Sequence, residues 1–140
     1  MEIKLLKGLD EFEFGLSKDG FLEKNATQSK FDVIEEEEET KTEALYCEKY
    51  DTTLFFEGDE TEMILTSCET EYKGSLLFGI KIFDKKENEV IKIMNDHGFS
   101  DIEKDIEEWG EKRISFFDAM ADFNFEEGKL VSLSWGILLL

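Results

Sequence analysis

The clearest pattern of apolar and polar positions is an amphipathic helix in the C-terminal half of the chain. Apolar residues between Val90 and Met94 recur with helical spacing, and Gly98 follows where glycine commonly ends a helix. Asp84 and Glu87 have the spacing of an N-terminal capping box. The pattern therefore predicts a helix over residues 85–97.

A second, shorter helix is predicted near residues 18–26. Ser17 is in position to cap this segment, and Phe21 contributes to its apolar side. Gly20 and Asn25 weaken the helical pattern, because both residues favour other backbone conformations. The first helix is thus expected to be less regular than the second.

Four strand-like runs follow each helix. They begin at residues 31, 43, 52 and 62 in the first half and at residues 101, 112, 121 and 129 in the second half. Gly128 suits a tight hairpin turn between the last two runs. Alternation such as Leu45 and Cys47 against Tyr46 and Glu48 is typical of strands with one buried face. The opposite face is expected to meet water or a partner.

The two halves of the chain resemble each other in sequence as well as in element order. "KGLDEF" at 7–12 aligns with "KGSLLF" at 73–78, and Phe56 aligns with Phe125. We therefore predict a single domain, 1–140, made of two pseudo-repeats at about 7–70 and 73–138. The expected fold class is α+β, with two tandem helix-plus-four-strand repeats. Their helices would pack on one face of an antiparallel sheet and leave the other face open.

Charge narrows the choice of partners. The chain has 35 acidic and 16 basic residues, which give a formal net charge of −19. Such a charge disfavours nucleic acid and anionic membranes and favours a basic protein partner, although it also suits a surface that only keeps a protein dispersed. The chain contains no apolar stretch of membrane-spanning length and no secretory pattern at its start, so we expect a cytoplasmic protein. Cys47 and Cys68 are then expected to be reduced.

Candidate catalytic groups are few. His97 is the single histidine, and its position before Gly98 suits a role at the helix C-terminus better than catalysis. Phosphate-loop, nucleophile-elbow and metal-ligand spacings are missing from the sequence, and "DETE" at 59–62 lacks the calcium-loop pattern. We expect no enzyme activity, no cofactor and no metal.

The acidic run Glu35–Glu39 is the most unusual local feature. In a strand, Glu35, Glu37 and Glu39 would share one side. The run has two interpretations that are compatible: an edge strand guarded by charge against aggregation, or the acidic wall of a docking surface. Exposed aromatic residues would supply affinity, although each of them also suits the core. The predicted partner-binding residues are Glu35, Glu37, Glu39, Tyr46, Tyr50, Asp51, Glu57, Asp59, Glu60, Glu62, Trp109 and Trp135.

Three segments carry a resemblance to known families: "FGLSKD", "LLFGIKIFDKKENEVIKIMNDHGF" and "FNFEEGKLVSLSWG". They resemble small bacterial immunity proteins that accompany polymorphic or contact-dependent toxins, and the tandem helix-plus-four-strand plan is similar to the fold of the beta-lactamase inhibitory protein. Unlike that inhibitor, the chain is expected to have no disulfides and no secretion signal.

The resemblance implies a protein that binds and neutralises a cognate toxin domain. The negative charge favours a basic toxin, for example a nuclease, because enzymes that grip phosphates present lysine and arginine. A monomer is expected, with a dimer as the alternative. The competing function is a non-catalytic structural or self-associating module whose open face is buried against a second copy.

Overall fold

The computed structural model describes residues 1–24, 31–37, 39–106 and 110–138. The protein is α+β and consists mostly of strands. The first half contains β1 (Glu2–Lys4), β2 (Gly8–Leu9), β3 (Phe12–Glu13), α1 (Lys18–Lys24), β4 (Phe31–Glu36), β5 (Lys41–Cys47), β6 (Thr52–Gly58) and β7 (Met63–Thr70). The second half contains β8 (Leu76–Leu77), β9 (Ile80–Lys81), α2 (Glu87–Asp96), β10 (Ile102–Ile106), β11 (Glu111–Phe116), β12 (Ala121–Glu126) and β13 (Lys129–Gly136).

Two sheets organise these elements. The large sheet has the strand order β10-β11-β12-β13-β7-β6-β5-β4 and is antiparallel throughout. Strands that follow each other in sequence are neighbours within each half, and the halves meet where β7 pairs with β13. The small sheet has the order β3-β2-β1-β8-β9, with β1 and β8 parallel. The small sheet was not predicted from the sequence.

One face of the large sheet contributes its side chains to the hydrophobic core. Leu54 and Phe56 on β6, and Phe123 on β12, are at most 3% exposed, since alternate residues of each strand point to this face. Burying each such side chain contributes about 1.5–3 kcal/mol. The α1 helix covers this face through Phe21, whose ring centre lies 5.6 Å from that of Phe56. The small sheet covers it as well, because the indole N–H of Trp135 donates a hydrogen bond of 2.8 Å to a backbone carbonyl of β2.

The helix ends follow the predicted capping in one half and depart from it in the other. Ser17 caps α1, because its hydroxyl accepts a hydrogen bond from the backbone N–H of Gly20 at 3.0 Å. In α2 the N-cap is Lys86, whose backbone N–H donates to the Glu89 carboxylate at 3.2 Å. The predicted capping box of Asp84 and Glu87 is therefore wrong by two residues. A short 3-10 turn over Ile82–Asp84 comes first and draws two apolar side chains into the core.

The β12–β13 turn has the geometry that its sequence indicates. Glu127 and Gly128 have φ angles of 51° and 80°, and both angles lie in the left-handed region. Two such residues in succession are typical of the turn that best matches the twist of a hairpin. The tight turn sets the first two pairs of β12 with β13, and the register then shifts by one residue between Phe125 and Asn124.

A carboxylate and two lysines tie each helix to the large sheet. In the first half, Lys18 of α1 lies 2.6 Å from Glu43 of β5, and Lys41 lies 3.1 Å from the same carboxylate. Burial raises the pKa of Glu43, but the hydrogen bonds and charges of the two lysines outweigh it and hold the pKa below its ordinary value. The helix is thus anchored by an ionised carboxylate whose side chain is only 6% exposed.

In the second half the signs are exchanged. Glu87 of α2 lies 2.9 Å from Lys112 of β11 and 3.1 Å from Lys104 of β10. Burial again opposes ionisation, and the two lysines again lower the pKa of the carboxyl group below its ordinary value. In both halves the helix residue and its main strand partner are 25 positions apart in the sequence.

Candidate protein-binding face of the large sheet

The face of the large sheet opposite the helices, called the open face below, carries a continuous polar row. Successive cross-strand partners form this row across seven strands. Its members are Tyr46, Thr53, Glu69, Ser134, Asp122, Ser115 and Glu103. Their side chains share one face because directly paired residues of antiparallel strands point to the same side. The row presents hydroxyl and carboxylate groups and contains no cation.

A second row, next to the polar row, has side chains that are mostly smaller and more apolar. It runs from Asp32 through Ala44, Phe55 and Ser67 to Gly136 in direct register. Phe55 is half-buried, and its neighbours in the row are small. The centre of the open face therefore has mostly small side chains and is low and partly apolar. Polar rows lie beside it. Protein interfaces have the same arrangement of an apolar centre within a polar rim.

The open face carries many more negative than positive charges. Its strand carboxylates are Asp32, Glu35, Glu57, Glu69, Glu103, Asp105, Glu111, Asp122 and Glu126, as the strand registers indicate. The strand registers place two basic residues on the same face, Arg113 and Lys129. The Arg113 guanidinium lies 2.9 Å from the Asp105 carboxylate. A face with this distribution has a negative potential that attracts basic proteins.

Two acidic turns extend this surface beyond one end of the strands. The β4–β5 turn and the β6–β7 turn lie side by side, because β5 pairs with β6. A groove of about 420 Å³ between them is lined by Glu36, Glu37, Glu39, Thr40, Lys41, Asp59, Glu60 and Thr61. Hydrogen bonds from the Thr61 hydroxyl and from the backbone N–H groups of Glu62 and Thr61 lower the pKa of Asp59. Asp59 therefore stays ionised and shapes its own turn.

The predicted binding residues divide among three places. The open face holds Glu35, Tyr46 and Glu57, the acidic turns hold Glu37, Glu39, Asp59, Glu60 and Glu62, and the opposite end of the sheet holds Tyr50 and Asp51. The prediction that Glu35, Glu37 and Glu39 share one side of a strand is wrong, because β4 ends at Glu36 and the backbone N–H of Glu37 donates to the carbonyl of Thr40.

An aromatic patch lies at the end of the sheet opposite the acidic turns. The Tyr46 hydroxyl donates a hydrogen bond of 2.7 Å to the Asp51 carboxylate, and this bond raises the pKa of Tyr46. The rings of Tyr50 and Tyr72 meet edge to face at 5.4 Å, and the Lys49 ammonium lies 5.2 Å from the Tyr50 ring centre. Tyr46 is 55% exposed, so its ring is available to a partner.

Trp135 does not belong to the binding surface. The side chain is 1% exposed and pairs across the sheet with Cys68 on the core face. The prediction that it contacts a partner is therefore corrected. Ser132 and Ser134 alternate with Leu133 and Trp135, and this alternation already indicated which face is buried. Trp109 lies outside the described residues.

Several open-face residues were missed by sequence reasoning, which weighted the acidic run instead. Glu69, Glu103 and Asp122 come to lie in one row only when the register of five strands is known. The alternation of polar and apolar residues in each strand assigns their side chains to the open face. Their common row was not readable, because register depends on pairing between distant segments.

The remaining reactive side chains serve the fold. A ring nitrogen of His97 lies 2.8 Å from the Ile93 carbonyl at the end of α2, and its ring stacks on Phe78 at 3.7 Å. Cys47 and Cys68 are free, and burial raises the pKa of the Cys68 thiol. Within the described ranges, His, Cys, Asp and Glu side chains form no group that could hold a metal ion. Among the same residues, no helix has the length and apolar character needed to cross a membrane.

Comparisons of the chain with protein-family models, with curated proteins and with solved structures give no match.

Proposed function

We propose that the protein is a non-catalytic, cytoplasmic immunity protein that binds a cognate toxin domain through the open face and thereby neutralises it. One observation carries the proposal: among the residues that the structure describes, the large sheet has one face that its helices leave uncovered, and the charges of that face are almost all negative. A partner that covers it has to be basic, because like charges across an interface are costly.

A nuclease domain suits this surface. Proteins that grip nucleic acid present lysine and arginine to phosphates, and a row of carboxylates can satisfy these groups in place of the phosphates. The polar row supplies hydrogen-bond acceptors at Glu69, Asp122 and Glu103, and the low centre around Phe55 lets a convex partner approach closely. Charge would guide the encounter, while the apolar centre and Tyr46 would supply affinity.

The two halves, about 7–70 and 73–138, are proposed to be pseudo-repeats of one ancestral unit. The exchanged ion pairs support this proposal, since Lys18 and Glu87, and likewise Glu43 and Lys112, are each 69 positions apart in the sequence. Two isolated bridges add support, because Ser17 before α1 pairs with Ile64, and Lys86 before α2 pairs with Lys129. A duplicated unit accounts for the width of the open face.

The test begins with the product of the neighbouring reading frame, because an immunity protein has to be made together with its toxin. If that product's C-terminal domain is toxic to cells, its co-expression with this protein is expected to restore growth.

Binding of the purified proteins tests the open face. The variant Glu69→Lys/Glu103→Lys/Asp122→Lys reverses the charge of three carboxylates in the polar row. We expect the association rate at low salt to fall by about tenfold or more.

A matched control separates the open face from the total charge. Glu11→Lys/Glu13→Lys/Glu23→Lys makes the same change of net charge at exposed positions outside the open face. Its association rate is expected to stay within about threefold of the parent protein. Equal effects of the two triple variants, or no binding to the parent protein, would refute the proposed function.

Self-association through the open face is the competing function. Two copies would bring carboxylates against carboxylates, so the charges oppose it. Sedimentation of the parent protein is expected to give a monomer. A dimer that the open-face triple variant abolishes and the control triple variant keeps would favour the self-associating module instead.

A further inference from the structure

The outer edge of β4 is a second surface with recognisable chemistry. Among the residues that the structure describes, β4 pairs only with β5, so it ends the large sheet. Val33 and Ile34 on this strand are 51% and 54% exposed. A sheet edge presents unpaired N–H and C=O groups and is a template for an added strand.

The local shape of β4 adds an apolar anchor. The register with β5 shifts between Val33 and Glu35, which makes Ile34 the extra residue of a β-bulge. Val33 pairs with Glu43 on the helix side of the sheet, whereas Asp32 and Glu35 lie on the open-face side. An added strand would therefore meet carboxylates on one side and apolar side chains on the other.

The charge of β4 indicates the occupant. The exposed charged residues of β4 are Asp32, Glu35 and Glu36, so the strand holds no cation, whereas β10 at the other edge includes Lys104 between acidic residues. Protection against aggregation needs charge of either sign. An all-acidic edge repels a second copy of itself and selects a basic strand.

We propose that β4 accepts an extended segment of a protein as an additional strand, with lysine or arginine at the alternate positions that face Asp32 and Glu35. Backbone hydrogen bonds to the edge give the segment its alignment, and its apolar positions pack on Val33 and Ile34. Near the end of β4, a groove of about 310 Å³ is lined by Glu35, Glu37 and Glu57 as well as by Lys41, so basic residues that follow the added strand would find carboxylates there. This inference rests on the proposed function only for the source of the segment, the basic toxin.

A peptide experiment tests the edge without the toxin. The probe is a fluorescent peptide of alternating lysine and valine, matched to the six residues of β4. The first control peptide has glutamate in place of each lysine. The second control peptide, the proline peptide, has proline in place of the valines, which keeps the charge but removes backbone N–H donors. We expect the lysine–valine peptide to bind and to slow amide hydrogen exchange within residues 31–36. The proline peptide is expected to bind about tenfold more weakly or worse.

Several results of the peptide experiment would refute strand addition at β4. If the proline peptide binds as well as the lysine–valine peptide, or if protection from exchange falls outside β4, strand addition is refuted. Asp32→Lys/Glu35→Lys is expected to abolish binding of the basic peptide and to allow binding of the glutamate peptide. Binding that survives this double variant also refutes the inference.

The same variants separate this inference from the proposed function. If the peptide binds at β4 but the toxin domain does not bind the parent protein, the edge is a binding site and the proposed partner is wrong. If the toxin domain binds and Asp32→Lys/Glu35→Lys leaves its affinity unchanged, the proposed function stands and strand addition fails.

Discussion

Glu43 is the residue whose replacement most directly tests how the helices are held on the sheet. The substitution Glu43→Gln keeps the shape of the side chain and removes the charge that Lys18 and Lys41 share. The amide that replaces it accepts weaker hydrogen bonds, and two ammonium groups then face each other without an anion between them. The variant is therefore expected to unfold more easily than the parent protein.

The size of the effect follows from burial. Loss of one partner from a fully buried ion pair costs about 3–5 kcal/mol, whereas exposed pairs contribute less than about 1 kcal/mol. The Glu43 side chain is 6% exposed, but Lys18 and Lys41 are 27% and 30% exposed and keep part of their hydration. We expect a loss of about 2 kcal/mol, which corresponds to a fall in Tm of about 5–8 °C for a chain of this size.

Urea denaturation over a range of pH is the assay. Because the lysines hold the pKa of Glu43 below its ordinary value, the stabilisation by the carboxylate is complete above the unfolded-state pKa. It is lost as the pH falls through the lower folded-state pKa. The difference in unfolding free energy between the parent protein and Glu43→Gln is thus constant near neutral pH and shrinks in acid.

Charge exchange provides the sharper comparison. Lys18→Glu alone brings two carboxylates together and is expected to destabilise more than Glu43→Gln. Lys18→Glu with Glu43→Lys recreates the arrangement of Glu87 and Lys112 and is expected to recover most of the loss. The same exchange at Lys92 and Asp96, an exposed pair in α2 at 3.0 Å, is the control and should change stability by less than about 0.5 kcal/mol.

Two results would refute this reasoning. Equal stability of Glu43→Gln and the parent protein at neutral pH would mean that the carboxylate contributes nothing net. An exchanged double variant no more stable than Lys18→Glu alone would mean that the helix and strand positions are not equivalent between the halves.

Three further predictions concern single contacts. Trp135→Phe leaves the Gly8 carbonyl without its donor and opens a cavity, so denaturation should show a loss of about 2–3 kcal/mol; unchanged stability would contradict its place in the core. Gly128→Ala should cost about 1 kcal/mol at its φ of 80°, and Gly128→Asn, which tolerates this backbone, should cost less; a reversed order would contradict the turn geometry. Because Asp51 raises the pKa of Tyr46, Asp51→Asn should lower it toward the ordinary tyrosine value in an NMR titration, and no change would exclude the hydrogen bond.

Much of the fold was predictable because the long strands have a period of two. Residues such as Leu133 and Trp135, or Phe123 and Phe125, alternate with polar neighbours, and this pattern indicates both the strand and its buried face. The α2 stripe from Val90 to Met94 was equally clear. Short elements gave no such signal, because two residues are too few to show a period. The small sheet also depends on the pairing of β8 with the distant β1.

The binding surface was only partly predictable for a related reason. Composition indicated an acidic surface, and the acidic run drew attention to Glu35 and the neighbouring turn. The polar row through Glu69 and Asp122 depends on the β7–β13 register, which no local pattern determines. The aromatic residues show the same limit, since Trp135 is buried and Tyr46 is exposed although both lie on strands.

The meeting of β7 with β13 has a consequence for assembly. Within the described strands, every other pair of adjacent strands in the large sheet comes from one half of the chain, and the small sheet joins the halves where β1 lies beside β8. A backbone cut between residues 71 and 75 would therefore separate two fragments that each keep a complete four-stranded meander and its helix. Such fragments would reunite through these two strand pairings and through the hydrogen bond of Trp135 to Gly8, so this protein is a natural candidate for split-fragment complementation.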